Sequence, residues 1–256
     1  MYNNKGDIMI ICVDLDSTLL TSDKKITSVT KDVLNKCKSL GHRIIINTAR
    51  SFQRTLKYFK EIEADYMICN AGADIYNKGL KRIYEDFIDE ESTYSIVKDA
   101  MTFSEVVSVQ TENDWYTTNI LDENLLLKKT NNLQDFYLKS YKILLYKGDE
   151  YKSISLSNKY KLNYSRYENG FWARISPLEC SKLNGLKIVL KELGMTLNEV
   201  ISFGDDVGDW DFVEASFIGV IMSNGLEILK DKARYVCDSN DNDGIAKFLI
   251  NYFMID

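Results

Sequence analysis

Histidine occurs once in this 256-residue chain, at His42, and proline once, at Pro177. One histidine excludes a multi-histidine metal site and leaves almost no room for a His-based triad, so catalysis must rest on carboxylates, lysine or hydroxyls. His42 itself lies in Gly41-His42-Arg43 and reads as a turn residue. The five cysteines (Cys12, Cys37, Cys69, Cys180 and Cys237) form no CxxC pair. They read as reduced thiols of a cytoplasmic protein, neither a zinc site nor a disulfide framework. No apolar run approaches the ~18 residues of a membrane span, and Met1–Asp7 lacks the basic-then-apolar order of a secretory signal. The net charge is −6 with no basic stripe, which argues against nucleic acid as a partner. Neither a Gly-x-Gly-x-x-Gly after the first strand nor a Walker loop occurs, so a dinucleotide enzyme is disfavoured.

What is present is core-forming sequence, 45% hydrophobic. Ile8–Val13 is unbroken rather than alternating, as in a strand buried on both faces of a parallel sheet. Thr27–Leu40 has helical spacing and a glycine stop at Gly41. Arg43–Asn47 and Asp65–Cys69 read as further strands, with a helix over Ser51–Phe59 between them. The order resumes with a helix over Ser181–Leu193, strands at Val200–Phe203, Phe217–Met222 and Arg234–Cys237, and a closing helix over Asn242–Phe253. This is the pattern of an α/β fold, a doubly wound, Rossmann-like, mostly parallel sheet.

Between Phe87 and Ser176 the character changes. That stretch holds nine of the sixteen tyrosines and only two of the thirteen glycines. Strands are expected at Val106–Thr111, Trp115–Asn119, Lys142–Lys147 and Phe171–Ile175, with helices at Glu90–Met101 and Asp149–Lys161. The expected organisation is a core of residues 1–86 and 177–256 carrying an α+β insertion, residues 87–176.

Three polar motifs come directly after the carboxyl ends of buried strands, the edge where open α/β sheets bind ligands. They are Asp14-Leu15-Asp16-Ser17-Thr18, Thr48, and Gly204-Asp205-Asp206-Val207-Gly208-Asp209. Lys182 opens the helix before the last. Any one alone reads as a turn or cap. Together they gather Asp14, Asp16, Asp205 and Asp209 at one edge, where carboxylates repel unless a cation sits among them. Hard oxygen ligands suit Mg²⁺, and with Lys182 the site calls for an anion, most naturally phosphate.

The whole set resembles the haloacid dehalogenase-like superfamily, in its Cof-type, class IIB branch. Asp14-Leu15-Asp16-Ser17-Thr18 is similar to the first motif in its phosphatase form, and Thr48-Ala49-Arg50 to the second. Ile175-Ser176-Pro177-Leu178-Glu179-Cys180-Ser181-Lys182 resembles the third and Gly204–Asp209 the fourth, while Asn70-Ala71-Gly72-Ala73 and Ser223-Asn224-Gly225 echo branch signatures. Departures are Ser17 and Ala49 for glycine, Gly208 for asparagine, an extra residue in Asn70-Ala71-Gly72, and Arg174 for an acidic residue.

The resemblance implies a Mg²⁺-dependent phosphatase of small phosphate monoesters, sugar phosphates or cofactors such as flavin mononucleotide or pyridoxal phosphate. In it Asp14 is the nucleophile and Asp16 the general acid/base. Mg²⁺ is held by Asp14, the backbone carbonyl of Asp16, Asp205 and Asp209. Thr48, Ala49, Arg50, Lys182 and Asn224 bind phosphate. The insertion becomes a cap that selects substrate, with Asn113, Trp115, Tyr116, Trp172 and above all Arg174 as candidates. The expected protein is a monomer or weak homo-oligomer without membrane partners. A phosphomutase using the same aspartyl-phosphate, and a non-catalytic metal- or phosphate-binding module, are the alternatives.

Overall fold

A computed structural model describes residues 8–121, 127–167 and 170–255. The chain runs β1 (Ile10–Val13), α1 (Ser28–Ser39), β2 (Arg43–Asn47), α2 (Phe52–Glu61), β3 (Tyr66–Cys69), β4 (Asp74–Asn77) and β5 (Arg82–Glu85). It continues α3 (Glu90–Ala100), β6 (Val106–Gln110), β7 (Trp115–Thr117), β8 (Lys128–Lys129), β9 (Lys142–Tyr146), α4 (Glu150–Lys159), β10 (Asn163–Arg166) and β11 (Trp172–Ser176). The last part is α5 (Lys182–Leu193), β12 (Val200–Gly204), α6 (Val207–Ala215), β13 (Ile218–Met222), α7 (Glu227–Lys230), β14 (Tyr235–Cys237) and α8 (Gly244–Phe253).

Two compact units result, one of Met1–Arg50, Thr55–Tyr84 and Ser181–Asp256, the other of Ser51–Arg54 and Glu85–Cys180. The second unit therefore includes a short piece of α2, which helical periodicity alone does not separate from the rest of its helix.

In the first unit an eight-stranded sheet has the order β14-β13-β12-β1-β2-β3-β4-β5. It is parallel from β14 to β3 and turns antiparallel at β4. Side chains of β1 alternate in direction, so Ile10 and Cys12 enter a cluster with Leu186 and Val189 of α5 and Phe212 of α6. The opposite face is closed by α8, whose Phe248 meets Phe203 edge-on at 5.5 Å. Burial on both sides is why these strands are continuous apolar runs. The β4–β5 pair has no counterpart among the expected strands: Asp74–Asn77 is short and half polar, and carries no period that marks a strand.

His42 is more than a turn residue. Its Nδ1 accepts the Met9 N–H at 3.1 Å, and its ring stacks on Phe253 at 4.1 Å. Burial lowers its pKa below the ordinary histidine value. All five cysteines are buried and in no disulfide.

After β3 the chain makes a left-handed turn, with φ of 50° at Asn70, 57° at Ala71 and 106° at Gly72. The turn is pinned by N–H donation from Asn70 to the Arg50 carbonyl (2.7 Å) and from Ala71 to the Thr48 carbonyl (2.9 Å). A Cβ at Gly72 would stand 2.1 Å from the Ser181 carbonyl oxygen. Opposite substitutions in this turn should therefore have opposite signs. Ala71→Gly relieves a left-handed alanine and should raise stability by about 0.5–1 kcal/mol after glycine's entropic cost. Gly72→Ala should lower it by more. Urea midpoints of the two variants check this, and a destabilised Ala71→Gly would contradict it.

In the second unit a six-stranded sheet has the order β10-β11-β9-β6-β7-β8. Helices α3 and α4 cover one face: Ile96, Val97 and Leu156 pack with Val107, Val109, Ile143 and Ile175. The alternate residues of those strands form the opposite face.

Candidate active site

Three strand ends and one helix start build the site. Asp14 comes directly after β1, anchored by its N–H to the Phe203 carbonyl at 3.1 Å. The chain then doubles back through Ser17, whose φ of 57° is a conformation glycine takes more easily. Asp205 and Asp209 come from the β12–α6 connection. Lys182 is the first residue of α5, whose N-cap Ser181 accepts the Asn184 N–H.

Lys182 joins the parts. Its Nζ donates to Asp14 Oδ1 at 2.6 Å and to Asp209 Oδ1, and all three side chains are buried. The other Asp209 oxygen accepts the N–H groups of Asp205 (3.0 Å) and Asp206 (3.1 Å). The loop backbone thus orients Asp209, and no side chain at position 208 is needed. A Cβ at Gly204 would meet Asp209 Cβ at 2.4 Å, so that glycine makes room for the carboxylate. Thr18 donates to Asp205 Oδ1 at 2.7 Å.

One oxygen from each of Asp14, Asp205 and Asp209 lies within 4.8 Å of the others. Burial, followed by the charge of Asp209, pushes Asp14 well above the usual carboxylate range in spite of Lys182. Burial also lifts Asp205 to about 6, against the hydrogen bond from Thr18. For Lys182 burial works downward, but Asp14 and Asp209 outweigh it and hold the ammonium well above the ordinary lysine range. Three carboxylates with one lysine are under-neutralised in a buried place. A hard divalent cation fits this all-oxygen donor set.

The Asp16 carboxylate stands apart from the three. Arg50 holds it through Nε (2.7 Å) and Nη2 (2.6 Å), and Lys24 Nζ through a 2.9 Å bond. Burial would raise its pKa, yet the Arg50 and Lys24 hydrogen bonds prevail and hold it well below the carboxylate range. Arg50, expected at phosphate, is in this arrangement committed to Asp16 and to the Tyr58 ring at 5.2 Å. Thr48 is buried, its hydroxyl accepting the Arg50 N–H at 3.2 Å, while Ala49 beside it is exposed. Asn224 braces two loops, donating to the Ser17 carbonyl (2.8 Å) and accepting the Asn240 N–H (3.0 Å).

Two residues join the site without having stood out in the sequence. Lys24 carries no signal there, being one lysine of a polar loop. Asn47 does carry one, as a polar residue closing an apolar strand: its amide donates to the Lys182 carbonyl at 3.0 Å and fixes the start of α5. Arg174, Asn113, Trp115, Tyr116 and Trp172 belong to the second unit.

A sequence profile described as haloacid dehalogenase-like hydrolase matches residues 11–249. A Bacillus subtilis protein named 5-amino-6-(5-phospho-D-ribitylamino)uracil phosphatase YitU is 25% identical, the alignment covering 96% of this chain and 98% of that one. The stress response protein YhaX of the same organism is 27% identical over 95% and 93%. Among solved structures, a haloacid dehalogenase-like hydrolase from Bacteroides thetaiotaomicron superposes with a TM-score of 0.79 at 26% identity, covering 96% of this chain and 99% of its own.

Proposed function

The chain belongs to the haloacid dehalogenase-like hydrolases, and on that premise we propose that it is a Mg²⁺-dependent phosphatase of small phosphate monoesters. The observation that carries the reading is the buried Asp14 carboxylate, held by Lys182 beside Asp205 and Asp209. Phosphatase names among its relatives support the reaction class.

In the first step an Asp14 oxygen attacks phosphorus in line. The P–O bond to the leaving group breaks as the aspartyl-phosphate forms. Lys182 offsets the charge of the nucleophile and of the transferred phosphoryl group, and Thr48 hydrogen-bonds a phosphoryl oxygen. In the second step water attacks phosphorus, Asp16 takes its proton, and Asp14 is released with inorganic phosphate. The ionised Asp16 held by Arg50 and Lys24 suits this second step. In the first step those bonds open, Asp16 takes up a proton from solvent, and it gives that proton to the leaving oxygen as the P–O bond breaks. Asp14, Asp205, Asp209 and the Asp16 carbonyl would hold Mg²⁺, which supplies Lewis-acid charge neutralisation when bound.

The substrate class is that of phosphorylated sugars and cofactors, among them flavin mononucleotide, pyridoxal phosphate and phosphoribitylamino-uracil compounds. The inserted unit is the part that selects among them. No helix among the described residues is long and apolar enough to cross a membrane, and five cysteines outside any disulfide favour a cytoplasmic setting.

Phosphate release from para-nitrophenyl phosphate and a panel of such esters, with Mg²⁺ and with EDTA, tests the proposal. Release should require Mg²⁺ and stop with EDTA. No release from any ester by folded protein would move the assignment to a phosphomutase or a binding module.

A further inference from the structure

The loop between β1 and α1 holds a lysine in a conformation that lysine does not favour. Lys24 has a φ of 59°, in the left-handed region, where any side chain beyond glycine's hydrogen is strained. The turn around it is closed by N–H donation from Lys24 to the Thr21 carbonyl (2.8 Å) and from Thr21 to the Lys25 carbonyl (2.9 Å). It is anchored on both sides. Ser22 donates its N–H and its hydroxyl to the Asp241 carboxylate, each at 2.7 Å. The Lys24 carbonyl accepts the Tyr58 hydroxyl at 3.0 Å.

Tyr58 has a second contact with the site. It is buried in α2, and its ring lies 5.2 Å from the Arg50 guanidinium. The two cations that hold the Asp16 carboxylate, Lys24 through Nζ and Arg50 through Nε and Nη2, thus rest on one side chain. All four residues belong to the first unit. Stability does not account for the arrangement. The Lys24 and Asp16 side chains are 52% and 45% exposed, and an ion pair so open to water contributes little to a fold. Backbone strain kept without a gain in stability points to function.

We infer that Tyr58 and Lys24 are positioning residues for the second chemical step, holding Asp16 where it takes the proton of the attacking water, a role that rests on the phosphatase reading. In that step the water oxygen bonds to phosphorus and its proton passes to Asp16. The bond from phosphorus to the Asp14 oxygen breaks, and the Asp14 carboxylate is restored. Charge-assisted donors from two cations fix the Asp16 carboxylate in place, and a misplacement of about 1 Å costs up to about 10²-fold in rate. The first step has the opposite requirement, because there the same bonds open. Loosening the brace therefore slows release of phosphate from the enzyme without slowing its transfer to the enzyme.

The two steps separate with para-nitrophenyl phosphate in Mg²⁺, since its good leaving group depends little on a proton from Asp16. At saturation, turnover divided by the phosphorylated fraction of enzyme, read by intact mass after an acid quench, gives the rate of the second step. The value of kcat/KM reports the first. In Lys24→Gly the second rate should fall about tenfold, the phosphorylated fraction should rise, and kcat/KM should hold. Melts should show this variant at least as stable as wild type, because glycine takes the left-handed turn without strain. Lys24→Arg should restore part of the second rate. Tyr58→Phe, which keeps the ring and loses the hydroxyl, should lower that rate by a smaller factor.

Two results overturn the inference alone: an unchanged second rate and phosphorylated fraction in either Lys24→Gly or Tyr58→Phe, or an equal loss in both steps. The second would give the pair a general supporting role in the site. Failure of wild type to release para-nitrophenol overturns the phosphatase reading, and this inference with it.

Discussion

Replacing Asp14 by asparagine should lower phosphate release by at least about 10⁴-fold, the scale of loss when a covalent nucleophile is removed. Asparagine keeps the shape and hydrogen-bonding capacity of the side chain, so Lys182 Nζ retains an oxygen at the place of Asp14 Oδ1. What it removes is an anionic nucleophile. It also removes one of three carboxylates that share a buried space with a single lysine. Thermal stability should therefore hold or rise. Steady-state release and a melt on the same preparation check both parts, and substantial turnover in Asp14→Asn would remove Asp14 from the nucleophile's role.

Lys182→Met should have the largest effect on stability, and should cut turnover by about 10³-fold or more, as expected when a buried charge facing the reacting group is lost. The ammonium bonds Asp14 and Asp209, and all three side chains are buried. Its removal leaves two carboxylates facing each other uncompensated, which costs about 3–5 kcal/mol. Because the loss comes from stranded charge, adding Asp14→Asn to Lys182→Met should recover part of it while activity stays absent. Denaturant midpoints of the single and double variants measure this. Strictly additive midpoints would mean that Lys182 supports the fold through packing of its stem alone.

Much of this site was legible because the chemistry sits at strand ends. A run such as Ile10–Val13 declares a buried parallel strand, and the residues after it must emerge at the ligand-binding edge. That logic brings Asp14, Asp205 and Lys182 together across the 168 positions between Asp14 and Lys182. It does not say where a loop side chain points. Asp16 and Arg50 are 34 residues apart. Their bidentate pairing depends on the left-handed Ser17 and on the Asn70–Gly72 turn that holds the Arg50 carbonyl. The bracing role of Asn224 is hidden for the same reason, since its two backbone partners come from distant loops. A Gly-His-Arg sequence resembles a surface turn, and only the docking of α8, which puts Phe253 over the ring, gives His42 its buried place. The β4–β5 pair lacks the periodicity by which a strand is recognised.

The position of β1 has a bearing on how the protein is made. Its partners are β2, which comes within a few dozen residues, and β12, which pairs Ile10 with Val200. A ribosome adding about 5–20 residues per second leaves one side of Ile-Ile-Cys-Val unpaired for about 10–40 s, until the second half of the sheet emerges. An apolar strand edge exposed that long is a template for pairing with another nascent chain. The same insertion that separates β1 from β12 can condense by itself meanwhile, since its sheet and helices are nearly contiguous in sequence. Holdase chaperones should consequently engage the growing chain until α5 and β12 are out, and release it once β12 takes its place beside β1.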